Sequence, residues 1–398
     1  MNKLSVILVI VLSWVTQVHS QTPDPKQAKV DKIFERWNKP NSPGVAIAVI
    51  ENGKLSYAKG YGSANLEYNI PITPKTVFHA ASLSKQFTAF AILTLAKEGK
   101  LSLDDDVRKY VSEVPDFGKK ITLRHLVTHT SGLRDQWRLL ELAGWRLDDV
   151  ITREQILRMV SRQKDLNFAP GQRFNYCNTG FTLLAEVVAR VSKMSFAEYT
   201  QKHIFTPLGM KNSQFYDDHE KLVKNRAYSY YQTDKGFKNK RLNFSVVGAT
   251  SLFTTAEDLA IWALNFQKQT IGNDTIFKQM AAKTTLNNGR KISVGMGQFL
   301  DDFWGLPVIY HTGSDAGYRL ILARFPKHNF AVALLSNVSN FDRELALAVS
   351  NIYLEKYIKK PTKKRKPKKK FIHDPKVFIK LSKAQLEKFT GKYWERDE

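Results

Sequence analysis

Three short groupings in the chain carry residue types suited to acyl transfer. Ser82 and Lys85 stand three apart at the start of an apolar run, AASLSKQFTAFAILTLAKEG, from Ala80 to Gly99. Tyr176-Cys177-Asn178 and His311-Thr312-Gly313 each occur once and follow in that order. A serine hydroxyl is a poor nucleophile until a base takes its proton. A lysine one helical turn away can be that base once burial or other cations lower its pKa. Residues i and i+3 of a helix share a face, and the N–H groups at its N-terminus favour developing negative charge. Leu83, Phe87, Ala91 and Leu95 recur at near-helical spacing and Gly99 is a suitable stop. The run is therefore expected to be a helix that presents Ser82 and Lys85 together in its first turn.

Alone, Ser-x-x-Lys is a weak signal in a lysine-rich chain. It recurs at Ser56–Lys59, in an expected strand, and at Ser161–Lys164, at the end of an expected helix. The bland alternative for the middle copy is an N-cap serine beside a solvated lysine. Tyr176 and His311 have bland counterparts too, as a core tyrosine and a loop histidine. The order and setting of all three favour a site. Two further candidates read as structural. His125 and His129 have the spacing of helical metal ligands, but no carboxylate or further histidine is placed to complete a site, so neither metal nor cofactor is expected. Cys177 could be a nucleophile, yet on an extended segment between Tyr176 and Asn178 it would point away from them.

The elements that must position these groups follow from periodicity and turn signals. A helix is expected over Lys29–Trp37, broken by Ser42-Pro43-Gly44. Val45–Ile50, the Asn52-Gly53 turn and Lys54–Tyr61 form a hairpin. Ile121–Leu133 is an apolar stretch, and Asp135–Trp145 a loop whose Trp137 and Trp145 either line a pocket or pack on the body. Helices follow over Thr152–Val160 and Phe181–Val191, with further pieces to Phe205. Asp217–Asn243 reads as a polar surface excursion. Thr255 caps a helix that runs to Phe266. Strands are expected at Val308–Tyr310, Tyr318–Phe325 and Phe330–Ser336, with His311-Thr312-Gly313-Ser314 between the first two, then a helix over Arg343–Tyr357. Strands at both ends with helices between give an α+β chain with an inserted helical region.

With 398 residues the chain can bury a large core. Its formal net charge is +24, and nine of those charges lie in one block, Lys359–Lys370, leaving +15 for the rest. Residues 1–20 read as a secretory signal: Lys3, an apolar Leu4–Leu12 run and a small-residue cleavage site before Gln21. The apolar run is short of the roughly 20 residues of a membrane span. The single cysteine excludes an intrachain disulfide and fits a bacterial envelope protein better than an animal secreted one. The expected organisation is a signal over 1–20, a hydrolase domain over 21–358, a basic flexible linker over 359–372 and a short tail over 373–398.

On Ser82-x-x-Lys85, Tyr176-x-Asn178 and His311-x-Gly313, together with HLVTHTSGL, FNYCN and LFTTAEDLA, the chain from about Pro43 to Tyr357 resembles the serine beta-lactamase-like family. That family includes class C beta-lactamases, low-molecular-weight DD-peptidases and related esterases. The resemblance implies an antiparallel sheet flanked by helices with an all-helical region, the site lying in the crevice between. It also implies roles. Ser82 would become acylated; Lys85 and Tyr176 would share the proton work, the phenolate favoured by Lys85; Asn178, His311, Thr312, Gly313 and Ser314 would bind substrate. The N–H groups of Ser82 and Ser314 would form the oxyanion hole. Two departures stand out. Many relatives have lysine at His311, and Gly248-Ala249-Thr250-Ser251 replaces a glycine run at the pocket edge. The tail from Leu381 resembles the start of a small appended β domain.

The expected activity is that of an exported, secreted or periplasmic serine hydrolase acting on a small peptide, ester or beta-lactam-like substrate. Peptidase or esterase action ranks above true beta-lactamase activity. A catalytically silent, envelope-polymer-binding protein is the rival from another class. The Lys359–Lys370 block would serve either as a solvated linker or as a dock for anionic lipid or cell-wall polymer, with nucleic acid an unsuitable partner for an exported protein.

Overall fold

The computed structural model describes residues 24–359 and Ser382. The expected signal, the tail apart from Ser382, and the basic block beyond Lys359 lie outside the described residues. A six-stranded antiparallel sheet organises the rest. Its strands are β1 Val45–Glu51, β2 Lys54–Tyr61, β3 Phe299–Phe303, β4 Leu306–Asp315, β5 Tyr318–Phe325 and β6 Phe330–Ser336, in the order β3-β4-β5-β6-β1-β2. The two chain ends thus meet in one sheet, with β1 paired to β6 from Val45↔Ser336 to Ile50↔Ala331. Asn52 and Gly53 both take positive φ, 51° and 73°, as the tight hairpin between β1 and β2 requires.

Alternation along β1 separates two cores. Val45, Ile47 and Val49 pack against Val30 and Phe34 of α1 (Pro25–Phe34) and against Val349 and Tyr353 of the Leu345–Leu354 helix. Ala46, Ala48 and Ile50 face the other way, where the Ala256–Lys268 helix crosses the sheet. The two alanines let that helix approach closely. Behind it lies α2, Ser84–Lys97, fixed by Phe87 stacked on Trp262 at 4.4 Å and by Trp262 Nε1 donating to Gln86 Oε1 at 3.0 Å. The inserted region supplies the helices Leu123–Val127, Gln136–Leu142, Arg153–Ser161, Asn178–Ser192 and Phe196–Thr200. Capping boxes open three of them, pairing Thr122 with His125, Thr152 with Gln155 and Ser195 with Glu198. No helix among the described residues is long and apolar enough to cross a membrane.

Several expectations change. Asp135–Trp145 is not a loop but contains the Gln136–Leu142 helix, opened by the Asp135 carboxylate on the Trp137 N–H. The His311-Thr312-Gly313-Ser314 segment is inside β4, not between strands, and β3 is an additional edge strand whose Phe299-Leu300-Asp301-Asp302-Phe303 sequence lacks the apolar–polar alternation that would announce a strand. Asp217–Asn243 is more than a surface excursion. It holds a hairpin, Tyr230–Thr233 with Gly236–Asn239, and buries Ala227 and Tyr230. The closing helix is shorter than expected, Leu345–Leu354, and is followed by a single tight turn.

Candidate active site

Ser82 does not cap α2. It lies in a tight 3-10 turn, Ala81–Leu83, that feeds into the helix, and Ala81 before it is held at φ 49°. A non-glycine residue in the left-handed region needs external support. Three neighbours give it. His79 Nδ1 accepts the Ala81 N–H at 3.3 Å, the Ala80 N–H donates to Leu252 O at 2.6 Å, and Ser84 Oγ donates to Ala81 O at 2.6 Å. Gly313 of β4 runs alongside; a Cβ there would lie 2.4 Å from Ala80 O, so only glycine lets the strand come this close to the serine turn.

Lys85 is fully buried rather than solvated. Its Nζ lies 3.0 Å from Ser82 Oγ, 2.8 Å from Asn178 Oδ1 and 2.7 Å from Ala249 O. Burial pushes its pKa down to about 7, with Asp315 and then Asp135 resisting that shift. The Gly248–Ser251 segment is thus the floor under the lysine, not a pocket edge. Gly248 has φ 91°, and a Cβ on it would meet Phe181 O at 2.4 Å.

Asn178 is the first residue of its helix, and Asp135 holds it in place. One carboxylate oxygen accepts the Asn178 N–H at 2.6 Å and its Nδ2 at 2.8 Å, which turns Oδ1 towards Lys85. His129 performs the same service for the preceding residues: its Nδ1 accepts the Cys177 N–H at 3.0 Å and its ring stacks on Tyr176 at 4.3 Å. His125 Nδ1 closes its capping box by accepting the Thr122 N–H. Both histidines are therefore engaged as the structural reading requires. Cys177 is buried with its Sγ on Leu133 O at 3.4 Å, and burial pushes the thiol up to about 12. A thiol so placed is inert.

Tyr176 departs from expectation. Its hydroxyl meets Ser82, but burial, followed by Asp315 and Asp135, drives the phenol well above its usual pKa against the pull of that hydrogen bond. The resting group is a neutral phenol, not a phenolate stabilised by Lys85. His311 is likewise no cation. Burial first, and Lys85 second, push it down to about 3. Its Nδ1 donates to Thr312 O at 2.7 Å, which leaves Nε2 as an unpaired buried acceptor among the described residues. A substrate carboxylate would gain no charge pairing from this ring.

Sequence reasoning missed three positioning residues: Asp135, His79 and Asp315. Asp135 precedes a helix, the usual place for a capping aspartate, which was the available signal. Asp315 directly follows Ser314; it accepts a hydrogen bond from Thr250 Oγ1, lies 3.8 Å from His79 Nδ1, and is pushed up by burial. Tyr176, Asn178, Ser314 and Asp315 line a cleft of about 910 Å³, with Trp137 stacked on Phe244 at 4.6 Å along its side. Replacing Asp135 with Ala is expected to lower kcat by roughly 10- to 100-fold, because Asn178 loses the acceptor that aims it. Asp135→Asn, which keeps one acceptor, should recover part of the loss. Steady-state kinetics of both variants checks this.

A serine against a buried lysine of lowered pKa, on an antiparallel α+β scaffold with a helical insert, is the arrangement that serine acyl-transfer chemistry requires. The family model described as Beta-lactamase matches residues 30–353, and the chain belongs to that family. Among curated relatives, a D-aminopeptidase of Gluconobacter oxydans is 27% identical over 296 residues, which is 74% of this chain and 56% of that protein. Protein flp of Staphylococcus aureus is 27% identical over 329 residues, 79% of this chain and 64% of its own length. The chain thus spans between 56% and 64% of these two relatives. Two solved structures share the fold with a TM-score of 0.71: an octameric penicillin-binding protein homologue from Pyrococcus abyssi, 28% identical and covering 83% of this chain and 77% of its own, and a penicillin binding protein from Bacillus halodurans, 26% identical with 81% and 98% covered.

Proposed function

We propose that the domain is an exported hydrolase that cleaves a small amide or ester, foremost a peptide with a D-residue on the acyl side, through an acyl-enzyme on Ser82. The observation that carries this reading is the hydrogen-bonded row Ser82 Oγ, Lys85 Nζ, Asn178 Oδ1. Neutral Lys85 takes the serine proton as Oγ attacks the carbonyl carbon. The N–H groups of Ser82 and Ser314 receive the oxyanion. The Tyr176 phenol, neutral and in contact with Ser82, is placed to pass a proton to the departing amine or alkoxide, and the proton that Lys85 took from Ser82 then returns to the phenolate, which restores both groups. Water then repeats the sequence and frees Ser82.

The D-aminopeptidase name of the Gluconobacter relative supports an amide substrate. The uncharged His311 argues against a site built around a substrate carboxylate at that position. Residues 1–20 and the Lys359–Lys370 block support an envelope location, the block serving as a dock for anionic polymer or lipid. The test is release of p-nitroaniline from the D- and L-alanyl anilides, run beside short acyl esters and a penicillin. D-selective release is the expected result. Ester turnover alone would move the assignment to an esterase, and drug hydrolysis to a beta-lactamase. A folded protein inert to all of them, with Ser82 unmodified, would leave a polymer-binding role.

A further inference from the structure

On the same face of the sheet as α2, beneath the Ala256–Lys268 helix, Arg324 of β5 is buried, 6% exposed, between its sheet partners Ile309 and Ala331. Its guanidinium lies flat on Phe266, 3.4 Å from the ring centroid, and Nη2 donates to Gln298 Oε1 at 2.7 Å. No carboxylate pairs with it among the described residues. Asp274 lines the same hollow, but it is held at the surface by Gln269 and by Lys278, whose Nζ is 3.1 Å away. Gln298 is 3% exposed, and its Nε2 has no acceptor among the described residues. The amide cannot be turned over to cure this, because the guanidinium would then lose its acceptor. Two adjacent groups, a cation and a donor, therefore lack what one anionic acceptor would supply. A buried charge without a partner is costly, and an orphaned buried donor adds to the cost. Burial accordingly pushes Arg324 down to about 9, with no neighbouring charge to offset it.

The space beside them suits a small molecule. Arg324 and Gln298 line a hollow of about 220 Å³ whose other walls include Phe266, Phe277, Ile309 and Phe330. A polar, cationic end and apolar walls match an anion with a compact hydrocarbon body. A carboxylate can take two parallel hydrogen bonds from a guanidinium edge. We infer that the Arg324–Gln298 hollow is a binding site for a small apolar monocarboxylate, separate from the acyl-transfer cleft. The site adjoins the catalytic helix. Gly297, next to Gln298, packs so tightly on α2 that a Cβ there would sit 2.5 Å from Lys85 O.

The experiment titrates benzoate, its neutral isostere benzamide, and N-acetylphenylalanine as a peptide-like carboxylate into the folded protein at constant ionic strength. Calorimetry and thermal unfolding are the readouts. Benzoate is expected to raise the unfolding midpoint by roughly 3 °C at saturation, and benzamide to do nothing. The response should survive in Ser82→Ala, which separates it from the acyl-transfer cleft. N-acetylphenylalanine binding would extend the ligand class to peptide C-termini, and its failure beside benzoate would restrict the class to free acids. Arg324→Met should weaken benzoate at least ~10-fold while unfolding no earlier than the parent, since it removes an uncompensated charge. Gln298→Glu should supply the missing carboxylate from within, raising the midpoint and closing the site to benzoate. Equal responses to benzoate and benzamide, or a benzoate response unchanged in both variants, would overturn the assignment.

Discussion

Ser82→Ala is expected to lower turnover of any amide or ester substrate by about 10⁴-fold or more, and to abolish covalent labelling by penicillin or a serine-reactive phosphonate. The structure makes this a clean substitution. The turn that carries Ser82 is held by its neighbours, through the Ala81 N–H on His79, Ser84 Oγ on Ala81 O and the Leu252 N–H on Ser84 Oγ. Among the described residues the Ser82 hydroxyl meets the groups proposed to act with it, Lys85 and Tyr176. The alanine variant should therefore unfold within roughly 2 °C of the parent. Intact-mass spectrometry decides the matter. Label that persists in the variant would place the nucleophile elsewhere. Cys177 is a poor alternative, being buried with a thiol pushed up to about 12.

How much of this site could be read from the sequence depended on whether position along the chain encodes spatial proximity. The Ser82–Lys85 relation is local, set by helical spacing, and it survives the finding that Ser82 precedes the helix in a 3-10 turn. The hairpin of β1 and β2 was legible because Asn52-Gly53 has one strongly preferred turn geometry. The parts played by Asp135 and Ala249 were not. They reach Asn178 and Lys85 through packing of separate elements; the neighbourhood of Asp135 marks it only as a helix cap, and nothing marks Ala249. The ionisation states were also hidden. Reference pKa values made Tyr176 a base awaiting a cation and His311 a weak one, whereas the dominant influence on both is burial. Burial belongs to the assembled fold. It cannot be assigned to Lys85 by counting residues on α2, where the lysine's charge would argue for a solvated face.

That burial gives Lys85 its use, and the second large effect follows from it. With its pKa pushed down to about 7, the amine is substantially neutral near pH 7 and can accept the Ser82 proton. Acylation should rise about tenfold per pH unit below that point, then level off. Lys85→Met is expected to cost roughly 10³-fold in kcat/KM and to remove this rise. If Tyr176 were the base, the rise would come far higher, since its phenol is driven above its ordinary value. An unchanged pH profile in Lys85→Met would therefore rule out the lysine as base. Stability provides an independent reading of the same ionisation. The unfolded chain holds the Lys85 proton up to about 10.5, but the folded chain releases it near 7. Between those values the unfolded state binds more protons, so this group makes the fold more stable as pH rises through the window. Below about 7 both states are protonated, and the full cost of burying the ammonium is felt. Lys85→Met should erase that increment, giving a flatter unfolding midpoint between pH 7 and 10, measured by thermal denaturation. The same substitution thus removes the activity and the pH-dependent instability together, because both come from one amine placed without solvent against Ser82, Asn178 and Ala249.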